Sequence, residues 1–507
     1  MSQDKILSLD DLSQKSAQLR KEGKRIVLCH GTFDLMHTGH IRSLKSAREK
    51  GDILFVTVTA DTFVNKGPGR PVFPQELRAE NLSSLACVDF VSINHAPTAV
   101  NVICELKPHA YAKGNDYKNI DEDVTGNIHL EKKAVEESGG EIIFTDEITF
   151  SSTELLNDHF GVFPNETKQY LQKFSKKYND VKIIEMLNSL KHLKVLVVGD
   201  TIIDEYHFTT PLGQSAKGTH LAVQYNYRER FLGGSLAITN HVAGFVEKVT
   251  IVSGLGREME SEEFIRSNLA KNIFPEFHYF VDAPTVVKQR FVDSDLNKLF
   301  EVYLYDEGSK LENSGKDLCS WLDNNVGNFD VVIVSDFGNG FITPEMIEPI
   351  CKHSRYLAVN TQINSGNRGY HAITRYPRAD FVSLNEPEAR LATHNRHDPL
   401  EHVAQNLAAR LKAKHFAVTR GTKGVMLLDN EVSETYTVPA LSTKVLDRVG
   451  AGDAFLAFSA MCLGKGISPE AAVFVGSAAA ALDVQIVCNK EPISSGNLLK
   501  YLGTLLK

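Results

Sequence analysis

The sequence predicts an α/β protein of two successive domains, and three observations carry that prediction. Short β-branched and aliphatic runs alternate with amphipathic stretches, in one series from Arg25 and another from Leu193, which is the mark of βαβ units and parallel sheets. The length of 507 residues calls for two to four domains at ~100–200 residues each. Between the two series, from Asn157 to His192, the text changes to a Pro/Asn-marked break and a lysine-rich stretch.

In the first series RIVLC (Arg25–Cys29) reads as a strand and HIRSLKSAREKG (His40–Gly51) as an amphipathic helix. DILFVTVTAD (Asp52–Asp61) follows as a strand, an apolar-periodic segment runs through Leu85, and VDFVSI (Val88–Ile93) is a further strand. YLQKFSKKYNDVKIIEMLNSL (Tyr170–Leu190) reads as a helix leading into the second domain, with Lys173, Lys176 and Lys177 on its solvated face. The second series holds LKVLVVGD, VTIVSGLG, VVIVSD, YLAVNT, FVSLN, HFAVTRG and GVMLLD, each a candidate buried strand. The boundaries expected are 1–157, a linker and connecting helix over 158–192, and 193–507.

Composition removes several classes of function. Fifty-five Lys and Arg against 63 Asp and Glu give a net charge of −8, which offers no bulk attraction to nucleic acid or to an anionic membrane. The N-terminal stretch mixes charges where a signal peptide keeps an apolar run, so a cytoplasmic location is expected. Seven scattered cysteines without a C-x-x-C pair read as reduced thiols.

Chemistry concentrates first in HGTFDLMHTGH (His30–His40), where a strand ends and a helix begins. Open α/β sheets bind ligands at that place. His37 and His40 share one side of the helix start, and Gly39 lets a phosphate approach the backbone. Two imidazoles and a helix N-terminus suit a phosphorus transition state whose charge develops on oxygen. These residues resemble the nucleotidyltransferase superfamily that includes glycerol-phosphate cytidylyltransferase and the adenylyltransferase half of bacterial ADP-heptose synthases, which implies a Rossmann-like domain. The resemblance places Thr32 and Phe33 at the nucleotide, Lys66 of NKGPGRPV and Arg78 of PQELRAENL on phosphates, and Lys113 and Asp116 of AKGNDYK near the nucleotide. It also makes Ser152 and Thr153 of SSTELL the cap over the nucleotide phosphates. Asp146 stands where cytidylyltransferases carry an arginine, which favours ATP over CTP, with CTP kept as the alternative.

In the second domain Asp200, Asp204, Asp336, Asn385 and Thr419 all stand at or just beyond strand ends, and their convergence argues for a site. DRVGAGDAF (Asp447–Phe455) can present successive N–H groups to an anion, with Asp453 beside them as a general base. This combination closely resembles the ribokinase (PfkB) carbohydrate-kinase family, which implies a ribokinase-like α/β domain with a small β lid. The resemblance makes Asp453 the base and Gly450, Ala451 and Gly452 the hole for the transferring γ-phosphoryl. It assigns Asn385 and Glu388 to Mg2+ through water, Thr419, Gly421 and Gly424 to ATP, and Asp204, Gly233 and Gly234 to the sugar. Lys288 and Arg290 of TVVKQRFV meet a substrate phosphate in the heptose-kinase version.

Three positions depart from that family: Ala237 where an asparagine is expected, Asn339 where heptose kinases carry lysine, and Asn360-Thr361-Gln362 in place of D-P-K. Together the resemblance points to a bifunctional ADP-heptose synthase with the domains in reversed order. It implies an anomeric sugar kinase using MgATP plus a transferase that joins a sugar 1-phosphate to a nucleotide. The alternative keeps the transferase and makes the kinase fold a regulatory one. The partners implied are sugar phosphates and nucleoside triphosphates, with no nucleic acid or membrane. HLAVQYNY and TVVKQRFV suggest a lid through which a homodimer pairs.

Overall fold

A computed structural model describes residues 3–64, 70–114, 127–145, 163–306, 311–367 and 369–506. Its backbone divides into two units, Met1–Pro164 with Leu499–Lys507, and Asn165–Leu498.

In the first unit five strands, β1 (Ile26–Gly31), β2 (Ile53–Thr59), β3 (Phe90–Asn94), β4 (Ala110–Gly114) and β5 (Glu141–Thr145), form a sheet of order β3-β2-β1-β4-β5. Every pairing is parallel. Because side chains alternate along a strand, each strand feeds two cores. Val27, Cys29, Leu54 and Val56 pack with Leu44 and Ala47 of the helix Thr38–Arg48 and with Ala79 and Leu82 of the helix Gln75–Ser83. Ile26, Leu28 and Phe55 face the opposite way, onto Leu12 and Leu19 of Leu9–Lys21 and Val102 and Ile103 of Val100–Leu106. Two covered faces explain the near-continuous apolar runs. The strand order reverses between β1 and β4, so a crevice opens at their C-terminal ends, beside His30 and Lys113.

The second unit begins with two helices where the sequence suggests one. Asn179 interrupts the run, and its side chain accepts from Lys182 N–H at 2.9 Å to cap Asp180–Asn188. The preceding helix, Asn165–Lys177, lays Phe174 on Phe474, with ring centroids 4.0 Å apart.

Its main sheet has nine strands. They are β6 (Val195–Gly199), β9 (Val249–Leu255), β10 (Ile273–Tyr279), β13 (Val331–Asp336), β14 (Leu357–Thr361), β15 (Phe381–Asn385), β16 (His415–Thr419), β17 (Val425–Asp429) and β18 (Glu434–Val438). They are ordered β10-β9-β6-β13-β14-β15-β16-β17-β18 and are parallel as far as β16. The last two pairings are antiparallel. A second sheet of order β12-β11-β7-β8 is made by β7 (Thr201–Gln214), β8 (Leu221–Gly234), β11 (Val287–Val292) and β12 (Lys298–Leu304). This is the expected lid, and it contains both HLAVQYNY and TVVKQRFV. One residue, Asp200, separates β6 from β7, so main sheet and lid meet at a strand end. All seven cysteines are free thiols. Among the described residues no helix is long and apolar enough to cross a membrane.

Candidate active sites

In the first unit the chain leaves β1 at Gly31, and Phe33 adopts a left-handed φ of 49°. That turn brings the Phe33 ring edge-on to His40, with centroids 5.5 Å apart, while His37 and His40 stack at 4.0 Å. His37 caps the helix: its Nδ1 accepts the Gly39 N–H at 3.1 Å, which leaves Nε2 as the protonated nitrogen of the neutral ring. Partial burial lowers the His37 pKa. A neutral donor at a helix N-terminus can hydrogen-bond a phosphate oxygen without giving up its proton.

Two residues the sequence left without a role build this loop. Asp34 accepts from the N–H groups of Val72 at 2.8 Å and Phe73 at 3.0 Å and pairs with Arg70 at 3.3 Å. His30, whose pKa burial pushes down to about 3, bonds the Thr57 and Thr59 hydroxyls. Both stand in the quoted motif, so the signal was present but its meaning needed the facing strand.

The structure sets Arg78 beneath this loop. Its guanidinium is buried and donates to the carbonyls of Thr32, Phe73 and Thr59, and to Asp61. All of these are protein acceptors, where the resemblance implied phosphates; Arg78 here shapes the loop by holding the Thr32 carbonyl. Arg78→Lys is therefore expected to destabilise the first unit by about 1–3 kcal/mol, the cost of acceptors left unmet. Calorimetry of the wild type and the variant tests it. An unchanged transition with a raised nucleotide KM would instead assign Arg78 to phosphate.

Lys113, next to last in β4, pairs with the buried Glu131 at 2.9 Å, which in turn accepts from Tyr111 OH at 3.1 Å. Lys66, Asp116, Ser152 and Thr153 lie outside the described residues.

In the second unit Gly450 starts the helix Ala451–Gly464 at φ 101°, a conformation that strains any other residue. A Cβ there would lie 2.3 Å from Asn489 Oδ1 and 2.7 Å from Asp483 Oδ2. The N–H groups of Ala451 and Gly452 precede the first intrahelical bonds, and a Cβ on Gly452 meets nothing within 4 Å. That face is open to an anion. Asp453 stands in the same turn, half-buried. Desolvation raises its pKa to about 7, with the Asp204 and Glu388 charges adding to the rise and Lys288 opposing it. A carboxyl poised near neutrality suits a general base.

The structure thus gathers Asp453, Asp204, Lys288 and Glu388 into one electrostatic neighbourhood. On the lid, β11 runs parallel to β7 with Lys288 opposite Asp204. Asp204 takes an ion pair from Arg290, whose Nε also donates to Glu301 at 3.1 Å. Lys288 is buried over the rings of Tyr303 and Phe337, at 5.4 and 5.7 Å. Burial lowers its pKa. Gly233 has a steric reason: a Cβ on it would sit 2.1 Å from Asp204 Oδ2. Gly233→Ala should push that carboxylate off Arg290 and cost about 1–3 kcal/mol through overpacking. A melting temperature equal to wild type would sink this account. Gly234, at φ 58°, turns the chain into the helix Ser235–Ala243.

Asn385 and Glu388 form a capping box: Asn385 Oδ1 accepts from Glu388 N–H at 2.8 Å, and Glu388 Oε2 from Asn385 N–H at 2.9 Å. Glu388 Oε1 accepts from Ile363 N–H at 3.1 Å, and burial pushes its pKa up to about 7. Each carboxylate oxygen keeps a second lone pair, so the pair fits a hydrated Mg2+ held through water. Thr419 lies opposite Asn385 in the sheet register. Gly421 and Gly424, at φ 56° and 78°, bound the turn that follows.

Of the remaining strand-end acids, Asp200 accepts from Phe337 and Phe341 N–H groups at 2.8 and 3.2 Å. Asp336 is enclosed by His371, Arg375 and Tyr376. Asp483, beneath Gly450, is fully buried, with both oxygens unbonded among the described residues, and burial drives its pKa well above the carboxylate range. Its signal in the sequence was a lone carboxylate in the apolar run AAAALDV.

Each unit thus carries a helix start that offers N–H groups beside titratable side chains, an arrangement suited to phosphate. Residues 192–488, more than half of the chain, match the pfkB family of carbohydrate kinases, and residues 28–158 match the cytidylyltransferase-like family. The chain belongs to the pfkB carbohydrate-kinase family, with a nucleotidyltransferase-like domain ahead of the kinase-like one.

Among curated relatives, the Bifunctional protein HldE of Desulfatibacillum aliphaticivorans is 36% identical over 159 residues, 31% of this chain and 31% of that protein. That of Methylococcus capsulatus is 38% identical over 149 residues, 29% of this chain and 30% of that protein. The similarity falls in the nucleotidyltransferase region; the chain spans under a third of the length of these relatives. Escherichia coli phosphofructokinase-2, solved in complex with substrates and products, shares the fold of 62% of this chain and 100% of its own, with a TM-score of 0.50 at 17% identity.

Proposed function

We propose that the chain activates a sugar in two reactions, with residues 1–157 as nucleotidyltransferase and 193–507 as kinase. Asp453 takes the proton from the anomeric hydroxyl of a sugar phosphate of the heptose 7-phosphate type. The hydroxyl oxygen then bonds to the γ-phosphorus of ATP as the bond to the β-phosphate oxygen breaks, releasing ADP. The N–H groups of Ala451 and Gly452 hold the charge that develops on the transferring phosphoryl. Mg2+, held through water by Asn385 and Glu388, supplies charge neutralisation along the triphosphate.

In the first domain an oxygen of a sugar 1-phosphate, from which a separate phosphatase has removed the kinase substrate's own phosphate, attacks the α-phosphorus of ATP, with CTP as the alternative. Pyrophosphate leaves and an ADP-heptose-like product forms, while His37 and His40 donate to the phosphate oxygens. The observation that carries the kinase half is Asp453, an acid poised near neutrality beside an open amide turn. A homodimer through the lid is supported by Tyr225, Tyr227 and Phe300, all exposed on its strands.

Phosphorus NMR with Mg2+, ATP or CTP and a panel of sugar phosphates tests the reading. ADP with a new anomeric phosphate, and pyrophosphate with a nucleotide-sugar, are expected. Pyrophosphate alone across the panel favours the second reading, a transferase with a regulatory kinase fold. Asn360 supports that second reading, because it spends its amide on Ser383 O at 2.7 Å where the family places a charged residue.

A further inference from the structure

Away from both phosphate sites, at the open end of the β16–β17 hairpin, His415 stands opposite Asp429 in the antiparallel register. Thr419 and its turn occupy the other end, about 14 Å away at ~3.4 Å per residue. His415 and Asp429 are buried, and Glu431 reaches in from the turn after β17. One ligand atom from each of the three lies within 4.8 Å of the others.

The His415 side chain is more than nine-tenths buried, with its Nε2 turned towards the two carboxylates. The facing acceptors, Asp429 Oδ1 and Glu431 Oε2, stand 3.9 and 4.0 Å away. Those gaps are too wide for hydrogen bonds, which run ~2.7–3.2 Å. They are close to the ~3.3–3.6 Å that separates N and O ligands bound tetrahedrally at ~2.0–2.2 Å.

The surroundings fit a cation. Tyr356 OH lies 3.3 Å from His415 Nδ1, the outer contact that fixes a ligating imidazole and directs its other nitrogen. Glu431 N–H donates to Asp429 Oδ1 at 3.0 Å and orients that carboxylate. The charged groups facing His415 are Asp429, Glu431, Asp380 and Lys414, three acids against one base.

We propose that His415, Asp429 and Glu431 bind a divalent transition metal of the Zn2+ type, with water as the fourth ligand, clamping the open end of this hairpin. One nitrogen and two carboxylates suit Zn2+ better than Mg2+, which prefers an all-oxygen octahedron.

The test is metal content of the full-length protein, stripped with chelator, equilibrated with excess Zn2+ and passed through gel filtration, alongside a Co2+ titration read by visible absorbance. Wild type should retain one equivalent that His415→Asn and Asp429→Asn lose and that a His37→Asn/His40→Asn protein keeps. Glu431 is exposed, so Glu431→Gln leaves the fold intact and should weaken Co2+ binding by about tenfold or more. Equal zinc in wild type and His415→Asn, or equal Co2+ affinity in wild type and Glu431→Gln, would overturn the proposal.

Discussion

Asp453→Asn is expected to lower ADP formation by about 10²–10⁴-fold, the range a positioned general base contributes, while pyrophosphate release by the first domain stays at the wild-type rate. Asparagine keeps the size of the side chain and its place in the helix turn but cannot accept a proton. The wild-type kinase rate should fall as pH drops below about 7, where the carboxyl takes up its proton. The same group predicts a stability effect of opposite sense. Its folded pKa, about 7, lies above the ordinary 3.8, so the folded state binds this proton more tightly than the unfolded chain does. The cost of burying the charge is absent below about pH 4, grows between pH 4 and 7, and is fully present above that. Asp453→Asn should therefore melt above wild type at pH 8, with the gap closing at pH 4. A variant that makes ADP at the wild-type rate would remove Asp453 from the chemistry and leave the regulatory reading.

His40→Asn should cut pyrophosphate release by about 10²–10³-fold, the loss typical of one donor removed from a developing oxyanion, and leave ADP formation unchanged. His40 is stacked on His37 and packed against Phe33, whereas the helix cap belongs to His37. Removing the His40 ring therefore spares the hydrogen bond that starts the helix. Separate assays of the two products decide it: equal loss of both activities would point to a folding defect, and retention of both would make His40 structural.

How far the residues could be read depended on the range of the interaction. The alternation read in the first domain ends at VDFVSI, and beyond it β4 became visible only as the partner of β1 and β5 as the partner of β4. The strand-end acids were legible as candidates, because a polar residue closing an apolar run is a local signal. Their fates were not: Asp453 stays at an open turn, Asp200 pins two backbone N–H groups, and Asp336 is enclosed by a histidine and an arginine more than 30 residues downstream. Arg78 is similar. The motif located it, and the carbonyls that take up its guanidinium come from three separate segments.

By itself, the sequence determined the class of each domain, the order of the two, the helix starts at His37 and Gly450, and the glycines beside them. Those are properties of neighbours in the chain: apolar period, turn chemistry and the N–H groups of a first helical turn. Only the tertiary structure decided which charges face each other. The Asp204–Arg290 pair, the Lys288 ammonium between two rings, the buried Asp483 and the His415–Asp429–Glu431 cluster all arise from strand register and sheet order. Register is set by the packing of both sheet faces at once, and desolvation, which moves the pKa of Asp453 and Glu388 to about 7, exists only once that packing has excluded water.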